Sequence, residues 1–202
     1  MKTIKETVKT TQIINRSEFI TSLYHVESVD EVQTILQNTR KTYYDATHNC
    51  YAYILGDSQD VKKSSDDGEP SGTSGMPILN ALEKNELTDV LCIVTRYFGG
   101  IKLGAGGLVR AYSSSASLAI SEATFQTLKT VLKLEIQTSY QQVNLILKTM
   151  QEEKLVEKKF LDMIYLYYEV CEEDFDIIQK NLIEISKNQI KINILEKTNK
   201  YL

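Results

Sequence analysis

The hydrophobic pattern of this chain is clearest after residue 130, where its period alternates between about two and about three to four residues. Apolar and polar residues alternate over 132–136, which predicts a half-buried strand. Thr138 and Gln141 have the spacing of a capping box and predict that a helix begins there. The apolar positions of that helix are Val143, Ile146, Leu147 and Met150.

A hairpin and a second helix are predicted next. Residues 155–161 and 163–170 are apolar and aromatic, so we expect two paired strands with Asp162 near the turn. The acidic run 172–174 suits the positive end of a helix dipole and predicts the start of a helix. The residues that this helix should bury are Phe175, Ile178, Leu182 and Ile185. The inward residues of a final strand should be Ile190, Ile192 and Ile194.

The order of these elements predicts a separate C-terminal domain. Strand, helix, strand, strand, helix and strand follow one another, which is typical of a ferredoxin-like α/β sandwich. We therefore expect a ferredoxin-like domain over residues 129–202, after an N-terminal domain over residues 1–128. The ferredoxin-like fold hosts many functions, so it points to none by itself.

The N-terminal domain combines strands and helices, and we predict an α+β fold. Residues 90–95 are continuously apolar, as in a central strand that is covered on both faces. Ser28 and Glu31 form a capping box for one helix, and residues 108–122 predict another. Residues 56–74 are polar and predict a loop. The other predicted strands are 3–11, 18–26 and 50–55.

Composition and charge exclude several classes of protein. Of the 202 residues, 42% are hydrophobic and 25% are charged, as in ordinary folded proteins. The apolar runs are too short to span a membrane, and the lysine-rich start lacks the apolar core of a signal peptide, so we expect a cytoplasmic location without membrane contact. The net charge of −4 argues against binding nucleic acid through bulk charge but leaves room for a local basic patch.

The cysteines give no sign of a metal centre. Cys50, Cys92 and Cys171 lie far apart and have neither metal-ligand nor redox spacing. In a cytoplasmic protein, such cysteines are expected to be reduced thiols in apolar surroundings. We therefore predict no bound metal and no cofactor.

Glycine is concentrated between residues 66 and 112, which hold eight of the nine glycines. Residues 90–121 include no acidic side chain, while three cations lie in or beside the glycines. Backbone amides freed by glycine, the positive end of the following helix and these cations together suit an anion. The sequence thus predicts a phosphate- or RNA-binding site at Arg96, Gly99, Gly100, Lys102, Gly104, Gly106, Gly107 and Arg110.

The same glycines also have a purely structural interpretation, in which they permit tight turns and close packing of a helix on a sheet. The segment lacks the Gly-Lys-Ser/Thr of a P-loop and the Gly-x-Gly-x-x-Gly of dinucleotide-binding folds. From the residues alone, the two interpretations are equally favoured. Tyr97, Phe98 and Tyr112 could stack on bases, although aromatic residues more often fill cores.

An acidic segment over residues 57–69 fails the calcium-loop spacing, so we predict no metal site there. Its carboxylates have two interpretations, namely solvated turns or contact with the basic glycine-rich segment. The residues expected to make contacts in and around this loop are His48, Asp66, Asp67, Glu69 and Ser71.

A carboxylate, an imidazole and a thiol lie close together in sequence at Asp45, His48 and Cys50. A cysteine hydrolase needs such groups, but it needs them to converge in space beside an oxyanion hole, which neighbouring positions do not show. A structural or binding role for His48 is favoured, and we assign no catalytic residue.

Three segments carry a resemblance to a known family: DATHNCYAY at 45–53, SDDGEPSGT at 65–73 and VTRYFGGIKLGAGGLVRAY at 94–112. In that order they resemble the IMPACT family in its bacterial, YigZ-type two-domain form. The resemblance covers nearly the whole chain. It implies an N-terminal domain similar to domain 2 of ribosomal protein S5 and a C-terminal domain similar to one in the ribosomal translocase.

The resemblance also implies a function, because eukaryotic relatives act in translational control. We expect a non-enzymatic protein that binds RNA, the ribosome or a translation factor. The alternative is a small-molecule or nucleotide-phosphate-binding enzyme, either a hydrolase or a phosphotransferase, that uses the glycine-rich loop. A third interpretation is a protein-interaction module whose motifs are structural only.

Overall fold

The computed structural model describes residues 1–151 and 154–202. The chain divides into two compact units, Met1–Thr127 and Leu128–Leu202, which we call unit 1 and unit 2. Both units are built from helices and antiparallel sheet, so the architecture is α+β.

The strands of unit 1 are β1 (Lys2–Ile4), β2 (Val8–Ile14), β3 (Ser17–His25), β4 (His48–Leu55), β5 (Val61–Ser65) and β6 (Val90–Tyr97). The helices of unit 1 are α1 (Val29–Thr42), α2 (Gly75–Lys84) and α3 (Gly104–Ser121). Five of these strands form an antiparallel sheet in the order β2-β3-β6-β4-β5. Strand β1 lies outside this sheet and pairs with Phe125–Thr127, where β7 (Phe125–Thr138) begins.

The apolar run of β6 explains its central position in the sheet. Cys92 and Val94 point into a core that includes residues of α2 and α3, whereas Leu91 and Ile93 point to the opposite face. Val32 and Leu36 of α1 pack in that second core. The prediction of a central strand covered on both faces is confirmed.

Unit 2 contains the rest of β7, α4 (Val143–Met150), β8 (Leu155–Phe160), β9 (Ile164–Cys171), α5 (Glu172–Ile185) and β10 (Lys191–Tyr201). The strands pair antiparallel in the order β10-β7-β9-β8. The sheet and both helices share one apolar core. The fully buried side chains of that core include Ile136, Ile146, Leu166 and Leu182.

Two predictions for unit 2 are wrong. Thr138 is the last residue of β7, and the N-cap of α4 is Gln142, which makes no side-chain capping bond. The capping box therefore does not form, because its first residue belongs to the strand. Ile194 is 51% exposed and not buried, since it lies on an edge strand next to the register shift between Ile194 and Glu196.

Three predictions for unit 1 need correction. The expected strand 3–11 is divided between β1 and β2, which pair with different partners. The expected loop 56–74 contains β5, which pairs with β4 along one edge of the sheet. Helix α3 begins at Gly104, four residues before its first strongly apolar position, Leu108. The capping box of α1 forms with one bond shifted by a residue: Glu31 N donates to Ser28 Oγ at 3.2 Å, and Glu31 Oε2 accepts from Glu27 N at 2.9 Å in place of Ser28 N.

Candidate functional site

A pocket of about 300 Å³ opens where β6 ends and α3 begins. We call it the His48 pocket. It draws side chains from the start of β4, the loop before α2, the end of β6 and the segment that leads into α3. The polar and aromatic residues of its wall are Thr47, His48, Glu69, Arg96, Phe98 and Lys102.

A buried ion pair forms one wall of the pocket. Arg96 Nη1 donates to Glu69 Oε1 at 2.6 Å, and Arg96 Nη2 donates to Ser17 Oγ at 3.3 Å. The hydroxyl of Tyr112 donates to the same Glu69 oxygen at 2.8 Å. Burial raises the pKa of Tyr112, so this hydroxyl keeps its proton. Of the two interpretations of the acidic loop, Glu69 therefore follows the one in which the loop contacts the basic segment.

This pairing changes the role expected for Arg96. The sequence places Arg96 among the cations that would neutralise a phosphate, but only 6% of its side chain is exposed and its charge is balanced by Glu69. The local sequence could not show this, because Glu69 and Arg96 are separated by 27 positions. Nothing in the sequence around Ser17 indicates that it belongs to the site. Its hydroxyl nevertheless accepts hydrogen bonds from Arg96 Nη2 and from Gly99 N.

His48 begins β4 and joins the loop to the pocket. Its Nδ1 atom lies 2.8 Å from the backbone carbonyl of Asp67, and its Nε2 atom lies 3.9 Å from Glu69 Oε2. A carbonyl oxygen can only accept, so Nδ1 carries the proton of this bond. About a fifth of the side chain is exposed, 19%, which leaves the ring edge open to the pocket.

Asp66 and Asp67 hold the loop in place. The Asp66 carboxylate accepts bonds from the amides of Gly72, Ser74 and Gly75 and from the Ser74 hydroxyl. Burial opposes ionisation of Asp66, but these donors outweigh it, so its pKa lies below the ordinary value. Asp67 accepts from Asn49 N at 2.7 Å. Both carboxylates are therefore engaged with their own chain.

Ser71 lies beyond these contacts. It is exposed, in the turn that Thr73 N closes by donating to Pro70 O. Its predicted role as a loop contact remains a prediction.

Lys102 and Arg110 are the exposed cations of the glycine-rich segment. Lys102 lines the His48 pocket, and Arg110 lines a neighbouring pocket of about 270 Å³. Leu103 contributes to both pockets and is the N-cap of α3, where it offers no capping side chain. The first turn of α3 contains no acidic residue, so its positive dipole end adds to these two charges.

The glycines of this segment have different structural roles. A Cβ on Gly99 would lie 2.0 Å from the carbonyl oxygen of Arg16, so glycine is required there by close packing. Gly104 has a φ of 70° and open space beside it at the first position of α3. Gly100 also has open space around it, and Gly106 and Gly107 lie within α3.

The aromatic residues near the pocket differ in their exposure. Tyr112 is fully buried and packs edge-on against Phe19, with ring centroids 5.3 Å apart, so it cannot stack on a base. Tyr97 donates its hydroxyl to Asp45 Oδ1 at 2.8 Å. Phe98 is 47% exposed and lines the pocket. The Arg96 guanidinium carbon lies 5.6 Å from the centroid of its ring, and the exposed part of the ring is accessible to a ligand.

The cysteine hydrolase interpretation fails at Cys50. The thiol is buried and donates to the Asp66 carbonyl at 3.0 Å. Burial raises the pKa of Cys50 to about 12, so the reactive thiolate is scarce at neutral pH. Cys50 stabilises the loop and does not serve as a nucleophile.

Within the described residues, one cluster offers several metal-ligating groups. Cys171, Glu173 and Asp174 bring their ligand atoms within 4.8 Å of one another at the start of α5. Glu173 is paired with Lys129, and both acidic residues of the cluster are exposed. Exposed acidic residues are favoured at a helix N-terminus without any ion, so we interpret the cluster as helix capping charge.

None of the helices in the described ranges is both long enough and apolar enough to cross a bilayer.

Comparison with known proteins identifies relatives across bacteria. Residues 15–120 match the Impact N-terminal domain. An IMPACT family member of Haemophilus influenzae is 32% identical over 189 residues, covering 91% of each chain. The family member YvyE of Bacillus subtilis is 50% identical over 115 residues, 57% of this chain and 53% of that protein. YigZ of Escherichia coli is 36% identical over 132 residues, 64% of this chain and 65% of that protein.

A solved structure, described as that of a hypothetical protein, has a similar fold along nearly its full length. Its sequence is 29% identical, and the superposition has a TM-score of 0.60 over 96% of this chain and 97% of that one. The domain match and the near full-length relative lead to the same assignment. The chain belongs to the IMPACT family.

Proposed function

We propose that this protein is a non-enzymatic, cytoplasmic RNA-binding protein that acts in translation, and that it binds RNA through the surface around the start of α3. We call this surface, formed by Phe98, Lys102, Arg110 and the first turn of α3, the α3 surface. The observation that carries the proposal is the exposure of two cations and one aromatic ring on a segment that contains no carboxylate from residue 90 to 121.

The chemistry of the α3 surface suits single-stranded RNA. Lys102 and Arg110 would contact phosphates, and the positive end of α3 would add backbone donors. The exposed ring of Phe98 would stack on a base, which is the usual contact of single-stranded RNA with protein. Because the whole chain carries a net charge of −4, binding depends on this local surface and is sensitive to salt.

We also propose a fold for each unit. For unit 2 we propose a ferredoxin-like domain, which the order of its elements and its strand order β10-β7-β9-β8 support. For unit 1, we propose a likeness to domain 2 of ribosomal protein S5. Both assignments follow the family resemblance, and kinship of fold alone would not decide the function.

A second candidate function is an enzyme that binds a nucleotide phosphate. The observation that favours it is the His48 pocket itself, which brings an imidazole, a lysine and a helix N-terminus together. Thermal denaturation in the presence of ATP, GTP or inorganic phosphate tests it. Strong stabilisation by a mononucleotide, without RNA binding, would favour the enzyme.

The test of RNA binding uses charge reversal with a matched control. In the Lys102→Glu/Arg110→Glu variant, we expect affinity for a fluorescent single-stranded RNA to fall by at least about tenfold. The slope of log affinity against log salt concentration should become shallower by about 1.4, because each phosphate contact on a single strand contributes about 0.7. The control, Lys5→Glu/Lys63→Glu, makes the same change in net charge at exposed lysines. An equal loss of RNA affinity in both variants contradicts the proposal, and so does a failure of the native protein to bind RNA.

Ribosome co-sedimentation extends the same test to the cellular partner. We expect the native protein and the control variant to co-sediment with ribosomes, and the α3-surface variant to remain in the supernatant. Unchanged sedimentation of the α3-surface variant would contradict the assignment of ribosome binding to the α3 surface.

A further inference from the structure

We propose that the His48 pocket reads the amino group of an RNA base, and that the protein therefore prefers adenine, cytosine or guanine to uracil. This inference rests on the proposed RNA binding and adds a specificity to it. Two hydrogen-bond acceptors that face each other in the pocket, His48 Nε2 and Glu69 Oε2, carry it.

The acceptor character of His48 follows from its other nitrogen. Nδ1 lies 2.8 Å from the Asp67 carbonyl oxygen, which cannot donate, so the proton of that bond lies on Nδ1. In the neutral ring, Nε2 then has a lone pair and no proton. Asp67 itself is fixed by Asn49 N and Ser65 Oγ, so this carbonyl is held in place.

The acceptor character of Glu69 follows from how its two oxygens are used. Oε1 receives the bonds from Arg96 and Tyr112. Oε2 receives no hydrogen bond from any residue in the described part of the chain, and His48 Nε2 lies 3.9 Å from it. Only 4% of the Glu69 side chain is exposed, so a donor for Oε2 has to enter through the pocket.

The separation of the two acceptors fits a bridging donor. At 3.9 Å the atoms do not bond to each other, and a single nitrogen between them can reach both at ordinary hydrogen-bond lengths. An amino group on a base has two N–H bonds on one nitrogen and acts there as a donor. It can therefore satisfy His48 and Glu69 at the same time.

The rest of the pocket suits a base. A volume of about 300 Å³ lies at the small end of the range for ligand sites. Phe98 supplies an exposed ring for stacking, and Lys102 lies on the same wall for the attached phosphate. Uracil has no amino group, and its N–H lies between two carbonyls, which would bring further acceptors towards His48 and Glu69.

The experiment compares short labelled oligomers of adenine, cytosine and uracil by fluorescence anisotropy. The native protein should bind the adenine and cytosine oligomers about tenfold more tightly than the uracil oligomer. His48→Ala should reduce this ratio to about twofold or less, because it removes one acceptor. Phe98→Ala, the matched control on the same wall, should weaken the binding of all three oligomers and leave the ratio of their affinities unchanged.

The Glu69→Gln variant tests the chemistry directly where it folds, because an amide nitrogen donates where the carboxylate accepts. It should shift the preference towards the uracil oligomer. His48→Ala keeps the inference testable if Glu69→Gln does not fold.

The outcomes separate this inference from the proposed function. Equal binding of all three oligomers, with binding still lost in Lys102→Glu/Arg110→Glu, overturns base reading and leaves RNA binding in place. No binding of any oligomer overturns both. Nitrogen NMR that shows both nitrogens of the His48 ring protonated at neutral pH overturns base reading, because Nε2 would then be a donor. Loss of the preference on adding EDTA also overturns it, since a metal ion would then occupy the gap.

Discussion

Arg96 Nη1 donates to Glu69 Oε1 across 2.6 Å in the interior of unit 1. Neither side chain is more than 6% exposed. The bond ties the loop before α2 to the end of β6, and it removes both charges from the surface that faces the solvent. What remains of the basic segment on the surface is Lys102 and Arg110, so the pair determines which cations a ligand can meet.

The first prediction concerns the stability that depends on this pair. Glu69→Ala should lower the free energy of unfolding of unit 1 by about 3–5 kcal/mol, because it leaves the buried Arg96 guanidinium without a negative counter-charge. The measurement is urea unfolding, followed through the amide NMR signals of unit 1.

The matched control is Glu83→Ala, which breaks the ion pair of Glu83 with Lys62. That pair is 2.9 Å long, but both side chains are more than a third exposed, 39% and 34%. Its loss should change the free energy of unfolding by about 1 kcal/mol or less. Equal effects of Glu69→Ala and Glu83→Ala would show that burial gives the Arg96 pair no special importance.

Much of the fold could be predicted because its signals are local. The apolar run of β6, the capping box of α1 and the acidic start of α5 each depend on neighbouring residues, and each appears in the structure. Predictions failed where pairing with another strand decides the structure of a segment. Strand β5 has the polar sequence VKKSS and forms because β4 pairs with it, and β1 is separated from β2 because it pairs with β7.

The candidate site shows the same limit. Its residues could be found from the clustering of glycine and charge, but their roles could not. Arg96 and Lys102 are only six positions apart, yet one is buried against Glu69 and the other is exposed. That difference arises from strand pairing, which directs Arg96 towards the core beside β3 and β4. The spacing of Arg96 and Lys102 in the sequence does not show which of the two side chains is buried.

The second prediction concerns Asp66 as a cap for α2. Asp66→Asn should lower the free energy of unfolding by about 1–2 kcal/mol at pH 7. One acceptor oxygen becomes an amide nitrogen that cannot accept from Gly72 N, and the remaining neutral oxygen accepts more weakly from Ser74 and Gly75. Urea unfolding provides the measurement. Asp60→Asn, at the exposed position immediately before β5, is the control and should have little effect.

The pH dependence of the Asp66 variant has a defined sign. The pKa of Asp66 is lower in the folded state than its ordinary value of about 3.9, so its contribution to stability is complete above that value. The contribution is lost as the pH falls through the folded-state pKa. The difference in the free energy of unfolding between the native protein and Asp66→Asn should therefore decrease below about pH 4. A difference that stayed constant down to pH 2 would show that Asp66 does not act through its charge.

The third prediction concerns thiol reactivity. Burial raises the pKa of both Cys50 and Cys92 to about 12, whereas Cys171 is partly exposed. In the folded protein at pH 8, a thiol reagent should modify Cys171 first, and Cys50 and Cys92 should react only after unfolding. Mass spectrometry of the labelled peptides provides the measurement, and Cys171→Ser is the control that should abolish the fast phase. Rapid labelling of Cys50 would contradict this prediction and would favour a role for Cys50 as a nucleophile.

The fourth prediction concerns the close approach at Gly99. Gly99→Ala should destabilise unit 1 by about 3 kcal/mol, because its methyl group would lie 2.0 Å from the backbone oxygen of Arg16. Backbone cannot move aside as a flexible side chain can, so the strand ends must separate. Gly72→Ala is a useful comparison, since Gly72 has a φ of 75° but open space, and its cost comes from backbone conformation alone. Thermal unfolding should show a larger decrease in Tm for Gly99→Ala than for Gly72→Ala.

The fifth prediction separates the two interpretations of the glycines in α3. Gly106 lies in the first turn, where an added Cβ would have its nearest neighbour at 3.9 Å, the Nη1 atom of Arg110. Gly106→Ala should raise the free energy of unfolding by up to about 1 kcal/mol, because alanine is the better helix former. If phosphate approaches the amides of this turn, the same methyl group obstructs it, and we expect RNA affinity to fall by about threefold despite the gain in stability. A more stable protein with unchanged affinity would show that Gly106 is not needed for phosphate to approach, and would place the RNA contact on Phe98, Lys102 and Arg110 alone.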